Sequence, residues 1–385
     1  MKNLLILFFQ ICGVSLIAQT HVQNLFTENL VNPIGLDLNQ PRFSWQLSSE
    51  NRNTLQTAYE LQVLDGAKEM WKTGKVNSDQ SVFVEYDGKP LVSGIKYNWK
   101  VRIWDNHGNV SNWSETAFFQ TAFLQTSDWK ANWIEPGFEE EIERPSPIFR
   151  KEFNCRKNIK RATVYVTAHG LYEATINGKR IGDAYLTPGW TSYNKRLQYQ
   201  VFDVTDLLNK GENAIGVTLG NGWYRGNLAW ERQKNIYGKD VGLLFQMNIQ
   251  YENGKEEMFI SDGSWKCSTG AIRYSEIYHG ETIDARKEQS GWNKVGFNDS
   301  NWYPVKVVNH SMDNLLATYN EPIKKHETFQ PKEIIITPKG ETVIDFGQNL
   351  VGWVMVKAKG KTGDRIVLSH NEVLDKEGNF YLENL

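Results

Sequence analysis

LLFQMNIQYENG, residues 243–254, decides the fold class. Leu243, Phe245, Met247, Ile249 and Tyr251 alternate with Leu244, Gln246, Asn248 and Gln250. A period of two is that of a strand with one buried face, and Asn253-Gly254 supplies a tight turn after it. The same period runs through earlier stretches. Phe43, Trp45 and Leu47 alternate with polar residues, as do Tyr59, Leu61 and Val63, and then Tyr97, Trp99, Val101 and Ile103. Asp65-Gly66, Asp87-Gly88 and the run Asn106 to Asn109 mark turns between them. This spacing predicts a β-sandwich over residues 20–125, with Trp45, Trp99 and Trp104 filling or edging its core.

Residues 126–147 differ in texture. Glu139, Glu140, Glu141 and Glu143 lie among Pro136, Pro145 and Pro147, which reads as a linker or long surface loop. From 148 to 320 the period of two returns. Val164 and Val166 start a strand, and LYEATINGKRIGD reads as a hairpin turning at Asn177-Gly178. Strands follow at Leu197 to Val201 and Ala214 to Leu219. Thr205 to Lys210 is the one helical hint, with Thr205 as a cap and Gly211 as a stop. Mostly antiparallel strands over this length predict a jelly roll. Residues 321–385 offer strands at Ile334–Ile336, Thr342–Ile344, Gly352–Val356 and Arg365–Leu368, too few for an independent sheet. The expected class is all-β, in tandem antiparallel sandwiches.

The 43 Lys and Arg against 45 Asp and Glu give a net charge of −2, with no basic patch for nucleic acid. Lys2, the apolar run Leu4 to Ala18 broken by Gln10, and the small or polar residues after it read as a secretory signal peptide over 1–19. A secreted or periplasmic protein is expected, and no later stretch is long and apolar enough to span a membrane. Cys12 falls within the signal. Cys155 and Cys267 remain, either paired or as two buried thiols.

Three long stretches carry a family likeness: ATINGKRIGDAYLTPGWTSYNKRLQYQVFDVTDLLNKGENAIGVTLGNGWYRG (174–226), YHGETIDARKEQSGWNKVGFNDSNWYPV (278–305), and VIDFGQNLVGWVMVKAKGKTGDRIVLSHNEVLDKEGNFYLENL (343–385). Together they resemble the N-terminal part of bacterial α-L-rhamnosidases of glycoside hydrolase family 78. The resemblance implies a fibronectin III-like domain, a jelly-roll domain and the start of a concanavalin-like β-sandwich. In that family an (α/α)₆ barrel follows, whose two Glu residues perform inverting hydrolysis of rhamnosides. The resemblance therefore implies an N-terminal fragment whose catalytic residues lie elsewhere. Its partners would be rhamnose-containing glycans or glycosides and the enzyme's own barrel. The alternative is a stand-alone carbohydrate-binding or structural β-sandwich protein.

GNGWYRG, 220–226, mounts Trp223, Tyr224 and Arg225 on a glycine-hinged turn after a strand. Indole and phenol rings suit a sugar with a C–H face and hydroxyl edges, and a guanidinium donates paired hydrogen bonds. Trp223, Tyr224, Arg225, Asn221 and Trp190 of TPGWTSYNKR are the candidate sugar contacts, against the alternative that they only pack the core. Asn177, Asp183, Asn221, Glu281 and Asp284 carry oxygens that suit a hard cation. The resemblance adds Ca²⁺ as the cation to consider there, since some jelly-roll modules of the family bind rhamnose with its help. DFGQN, 345–349, reads as a polar turn whose side chains bond backbone.

Overall fold

A computed structural model describes residues 20–155, 158–228 and 233–382. The stretch read as a signal peptide lies outside the described residues. The chain divides into two compact units, one ending at Ile323 and one starting at Lys324.

The first sandwich has strands β1 (His21–Thr27), β2 (Ile34–Leu36), β3 (Arg42–Ser48), β4 (Gln56–Asp65), β5 (Lys68–Lys72), β6 (Val84–Glu85), β7 (Lys96–Asp105) and β8 (Ala117–Thr121). They form two sheets, ordered β1-β3-β6 and β2-β8-β7-β4-β5. The long β4–β7 register sets Leu61 opposite Val101 and Val63 opposite Trp99. Those inward rows, with Phe43, Trp45 and Phe119, are the buried core. Each such side chain contributes about 1.5–3 kcal/mol on leaving water. Trp45 also donates from its indole to Gln56 Oε1 at 3.0 Å. Trp104 faces the other way and lies half-buried beneath Lys75, whose Nζ is 4.8 Å from the ring centroid.

Next come β9 (Trp133–Glu135), β10 (Pro147–Cys155), β11 (Ile159–His169), β12 (Leu171–Ile176), β13 (Lys179–Arg180), β14 (Leu197–Asp203), β15 (Gly211–Gly220), helix α1 (Gly222–Arg225), β16 (Gly242–Tyr251) and β17 (Glu256–Ile260). They are followed by β18 (Lys266–Thr269), β19 (Ile272–Glu276), β20 (Gly280–Ile283), β21 (Tyr303–Pro304), β22 (Lys306–Val308) and β23 (Leu315–Ala317). One sheet runs β13-β12-β15-β10-β18-β21 and the other β22-β9-β16-β11-β14-β23, with β17 also on β16. Between them Val164, Val166, Ile215, Val217, Leu219, Leu243, Phe245 and Met247 are buried in one cluster. The hairpin turns at Asn177 and Gly178, both with positive φ, as its Asn-Gly pair predicts. The helical hint shrinks to one 3₁₀ turn, Thr205–Leu207, in which Val204 rather than Thr205 holds the cap position and Asp203 Oδ1 accepts from the Thr205 amide at 3.0 Å.

The linker reading of 126–147 needs correction. Residues 133–135 are strand β9 in the larger sheet, and Trp133 and Ile134 are buried. Ala122, Phe123, Trp129 and Ala131 cover the far face of β16 around Leu244. Gln246, also buried on that face, binds the strap: its Oε1 accepts from the Lys130 amide at 2.7 Å, and its Nε2 donates to the Asp128 carbonyl at 3.2 Å. So β16 is covered on both faces, and its alternation understates its burial. The acidic run is also engaged. Glu140 pairs with Arg225 and Arg144, and Glu141 with Arg273.

Cys155 and Cys267 are free and buried. Cys267 lies opposite Phe149 on β10. Cys155 is six residues further along that strand, or about 20 Å at the usual rise per residue, far beyond disulfide reach.

In the second unit, β24 (Glu333–Ile336) and β25 (Thr342–Asp345) form a hairpin. Gly352–Val356 and Arg365–Leu368 are not strands, since no neighbour among the described residues supplies a ladder for them. Their apolar side chains, Val354, Met355, Ile366 and Val367 among them, are exposed. In DFGQN, Asp345 Oδ1 accepts from the Gly347 amide at 2.6 Å.

Candidate functional site

The turn at the end of β15 needs its glycines. Gly222 has φ of +54°, and a Cβ there would lie 2.7 Å from Leu171 Cγ. A Cβ on Gly226 would fall 2.4 Å from the Gly222 carbonyl oxygen. The chain can therefore make the one-turn helix α1 and leave it at once. The Asn227 amide then donates to both Glu276 carboxylate oxygens, at 3.1 and 3.0 Å.

The three large side chains of α1 go to different places. Arg225 points inward and is 2% exposed. Its Nε donates to Asn221 Oδ1 at 2.6 Å, and its Nη1 binds Glu140 and the Lys239 carbonyl. Burial pulls its pKa down, and Glu140 opposes that shift. Tyr224 is also buried. Its ring stacks on His169, with centroids 4.6 Å and planes 3° apart, and His169 stacks in turn on Trp133 at 4.2 Å. His310 meets His169 edge-on at 4.7 Å, with its Nε2 2.9 Å from Glu135 Oε1. Burial, then the nearby His310, pushes the His169 pKa down to about 3, so this imidazole is neutral.

Trp223 alone of the three is not fully buried. It is half-buried and lies parallel to Trp190, with planes 5° and centroids 5.9 Å apart. Trp190 is 53% exposed. Tyr193 roots the Trp190 loop. It is buried edge-on against Tyr224 at 5.7 Å, and its hydroxyl donates to the Gly189 carbonyl at 2.7 Å. Each loop thus has an inner tyrosine that anchors it and an outer tryptophan, exposed in Trp190 and half-buried in Trp223.

Of the five sequence-derived sugar candidates, the structure brings Trp190 and Trp223 together. Asn221 and Arg225 are buried and hydrogen-bonded to each other, and Tyr224 is buried between His169 and Tyr193, so the three do not lie on the surface with the tryptophans. Sequence reasoning missed His169, Trp133, His310 and Glu135, which support Tyr224 from below. Trp133 and Glu135 fell in the supposed linker, and an isolated histidine carries no periodic signal.

The residues present do not fit Ca²⁺. Among the described residues no three His, Cys, Asp or Glu side chains converge to hold a metal, so Asp183, Glu281 and Asp284 do not meet. Asn177 Oδ1 accepts from the Ala214 amide at 3.0 Å, and Asn221 Oδ1 is taken by Arg225. Asp284 caps the 3₁₀ turn at 285–287 and pairs with Arg286, whose hydrogen bonds hold it down to about 2. A carboxylate so held stays ionised and is no proton donor. Glu281 is exposed on β20, opposite Ser275.

Comparison with known proteins adds three family matches in chain order. Residues 22–125 match the Rha78A-like, N-terminal immunoglobulin domain. Residues 157–327 match the α-L-rhamnosidase N-terminal domain, and 335–385 the bacterial α-L-rhamnosidase concanavalin-like domain. An α-L-rhamnosidase of Formosa agariphila is 35% identical over 380 residues, which is 90% of this chain and 40% of that protein. A second from the same organism is 34% identical over 98% of this chain and 42% of its own length. The chain thus spans about two fifths of the length of these curated relatives. Among solved structures, native α-L-rhamnosidase from Aspergillus terreus superposes with a TM-score of 0.82 at 36% identity, over 87% of this chain and 39% of that one. The Streptomyces avermitilis α-L-rhamnosidase complexed with L-rhamnose gives 0.85 at 25% identity, over 94% and 52%. This chain belongs to the α-L-rhamnosidases of glycoside hydrolase family 78, to whose N-terminal β domains it corresponds along nearly its whole described length.

Proposed function

We propose that this chain is the non-catalytic N-terminal part of a secreted α-L-rhamnosidase. The intact enzyme removes terminal α-L-rhamnose from glycans or glycosides with inversion. Inversion needs a proton donor and a base about 6.5–9.5 Å apart around a water. Those two carboxyl groups are assigned to a helical barrel beyond residue 385. The β-sandwiches act as scaffold, and the Trp190–Trp223 surface holds a sugar near the point of cleavage. Two parallel indoles offer a flat apolar face to the C–H side and the C6 methyl of a 6-deoxy sugar.

The ordered run of three rhamnosidase-domain matches carries this reading. The coding sequence past Leu385 tests it. An open frame of several hundred codons with helix-period patterning supports an enzyme. A stop codon there makes the chain a stand-alone binding or structural protein and overturns the reading.

A further inference from the structure

The outward face of β7, on the first sandwich, carries a row of cations. Tyr97, Trp99, Val101 and Ile103 point into the core, so Lys96, Asn98, Lys100, Arg102 and Trp104 point out. Those outward residues are exposed or half-buried. From Lys96 to Trp104 the row spans roughly 26 Å at the usual rise per residue.

The cations of this row sit on rings. Lys96 Nζ lies 3.6 Å from the centroid of Phe118, and Lys100 Nζ 4.8 Å from that of Trp113. Lys75, next to the bridge between Val76 and Tyr59, lies over Trp104. Arg102 stands between Trp104 and Trp113, its Cζ 5.3 and 4.9 Å from their centroids. Arg102 also has an acid. Its Nη2 is 2.6 Å from Glu60 Oε2, and Lys72 shares that carboxylate at 3.7 Å. Lys75, Lys96 and Lys100 have no ion-pair partner among the described residues. A ring attracts a cation without neutralising it, and each ammonium keeps its N–H donors. Three uncompensated positive charges are therefore held in place along one sheet face, with aromatic edges between them. The net charge of −2 conceals this row.

The three charges do not converge, so no small anion engages them together. A polyanion laid along β7 meets them in turn, and linked contacts reinforce one another. Carboxylates or sulfate esters suit the ammonium groups. The edges of Trp104, Trp113 and Phe118 offer apolar surface to the C–H faces of sugars. Three unpaired cations fall short of the roughly 6–10 phosphate contacts of a strong duplex binder and of the roughly 4–8 basic residues that draw a segment to an anionic membrane.

We infer that the outer face of β7 binds an acidic polysaccharide, whose anionic groups meet Lys75, Lys96 and Lys100. The surface belongs to the first sandwich, whereas the tryptophan pair belongs to the jelly roll. It stands whether or not a barrel follows this chain.

Biolayer interferometry of the chain with polygalacturonate, dextran sulfate and neutral dextran tests it. At least one acidic polymer binds saturably and loses affinity as salt is raised, as exposed charge contacts do, while neutral dextran does not bind. Binding of polygalacturonate alone identifies carboxylates as the recognised groups, and binding of dextran sulfate alone identifies sulfate esters. Combined Lys75→Gln, Lys96→Gln and Lys100→Gln weakens the binding about tenfold or more, and each single change about two- to threefold. The single variants decide the matter if the combined one fails to fold. Combined Lys179→Gln, Lys210→Gln and Lys255→Gln, which removes exposed charges from the jelly roll, leaves the affinity unchanged. Absence of saturable binding to both acidic polymers overturns the inference, as does unchanged affinity in the β7-face variants or an equal loss in both combined variants. Tighter binding of duplex DNA or phosphatidylglycerol vesicles through the same three lysines assigns the face to a different partner and also overturns it.

Discussion

Trp190 and Trp223, thirty-three residues apart in sequence, lie parallel with their ring planes 5° apart. Each extends from a loop whose tyrosine, Tyr193 or Tyr224, is buried, and those tyrosines touch each other at 5.7 Å. The inner contact sets the outer one. On the proposed sugar-holding role of this pair, replacing Trp190 or Trp223 by Ala lowers L-rhamnose affinity about three- to tenfold, the range expected for an aromatic contact of about 0.5–1.5 kcal/mol. Trp190→Ala changes folding stability by less than about 0.5 kcal/mol, as for an exposed site. Tryptophan fluorescence titration reads the first, and urea unfolding the second.

Arg225 is a structural cation rather than a ligand contact. Its side chain is 2% exposed while that of Glu140 is 38% exposed. Arg225→Ala destabilises the first unit by about 2–3 kcal/mol, somewhat less than loss of a fully buried pair. Arg225→Met with Glu140→Gln recovers part of the loss. A double-mutant cycle by urea denaturation measures both.

The neutral His169 makes stability pH-dependent. Its folded pKa, about 3, lies below its ordinary value of 6.5, so the unfolded chain binds the extra proton. Stability then rises with pH where the unfolded state is the more protonated. The protein loses stability as pH falls from about 7 towards 4, and His169→Phe flattens that slope. Melting temperature against pH, for parent and variant, checks the sign.

Gln246→Ala leaves the Lys130 and Ala131 amides without their acceptor. A loss of about 1–3 kcal/mol per orphaned buried group is expected. Limited proteolysis becomes faster within 126–135, a segment that stays resistant in the parent.

Cys155 and Cys267 titrate as two thiols under denaturing conditions and react slowly when folded. Burial pushes the Cys155 thiol up to about 11, which keeps it un-ionised at neutral pH. Thiol quantification with and without denaturant distinguishes this from a disulfide.

The strands were legible wherever one face meets a core and the other meets solvent or a polar layer. β4, β7 and the hairpin at Asn177-Gly178 follow their residue pattern closely. What escaped depends on contacts distant in sequence. Gln246 looks like a solvent-face residue until the strap 116 residues earlier covers it. Arg225 looks like a loop-tip cation because its acid, Glu140, lies 85 residues away in a run that reads as linker. Trp190 and Trp223 were each visible as aromatics on glycine-bounded loops, but residue type carries no information about their pairing. Gly352–Val356 has a strand's composition yet no ladder, since pairing belongs to the neighbour as much as to the segment.

The proposed division of labour, with this chain as β scaffold and the bond cleavage assigned to a separate barrel, is tested most directly by incubating this chain, at micromolar concentration, with p-nitrophenyl α-L-rhamnoside. The account predicts p-nitrophenol release no faster than the protein-free blank. Sustained turnover that is abolished by substituting an acid within these residues, Glu281 or Asp284 first, would contradict it.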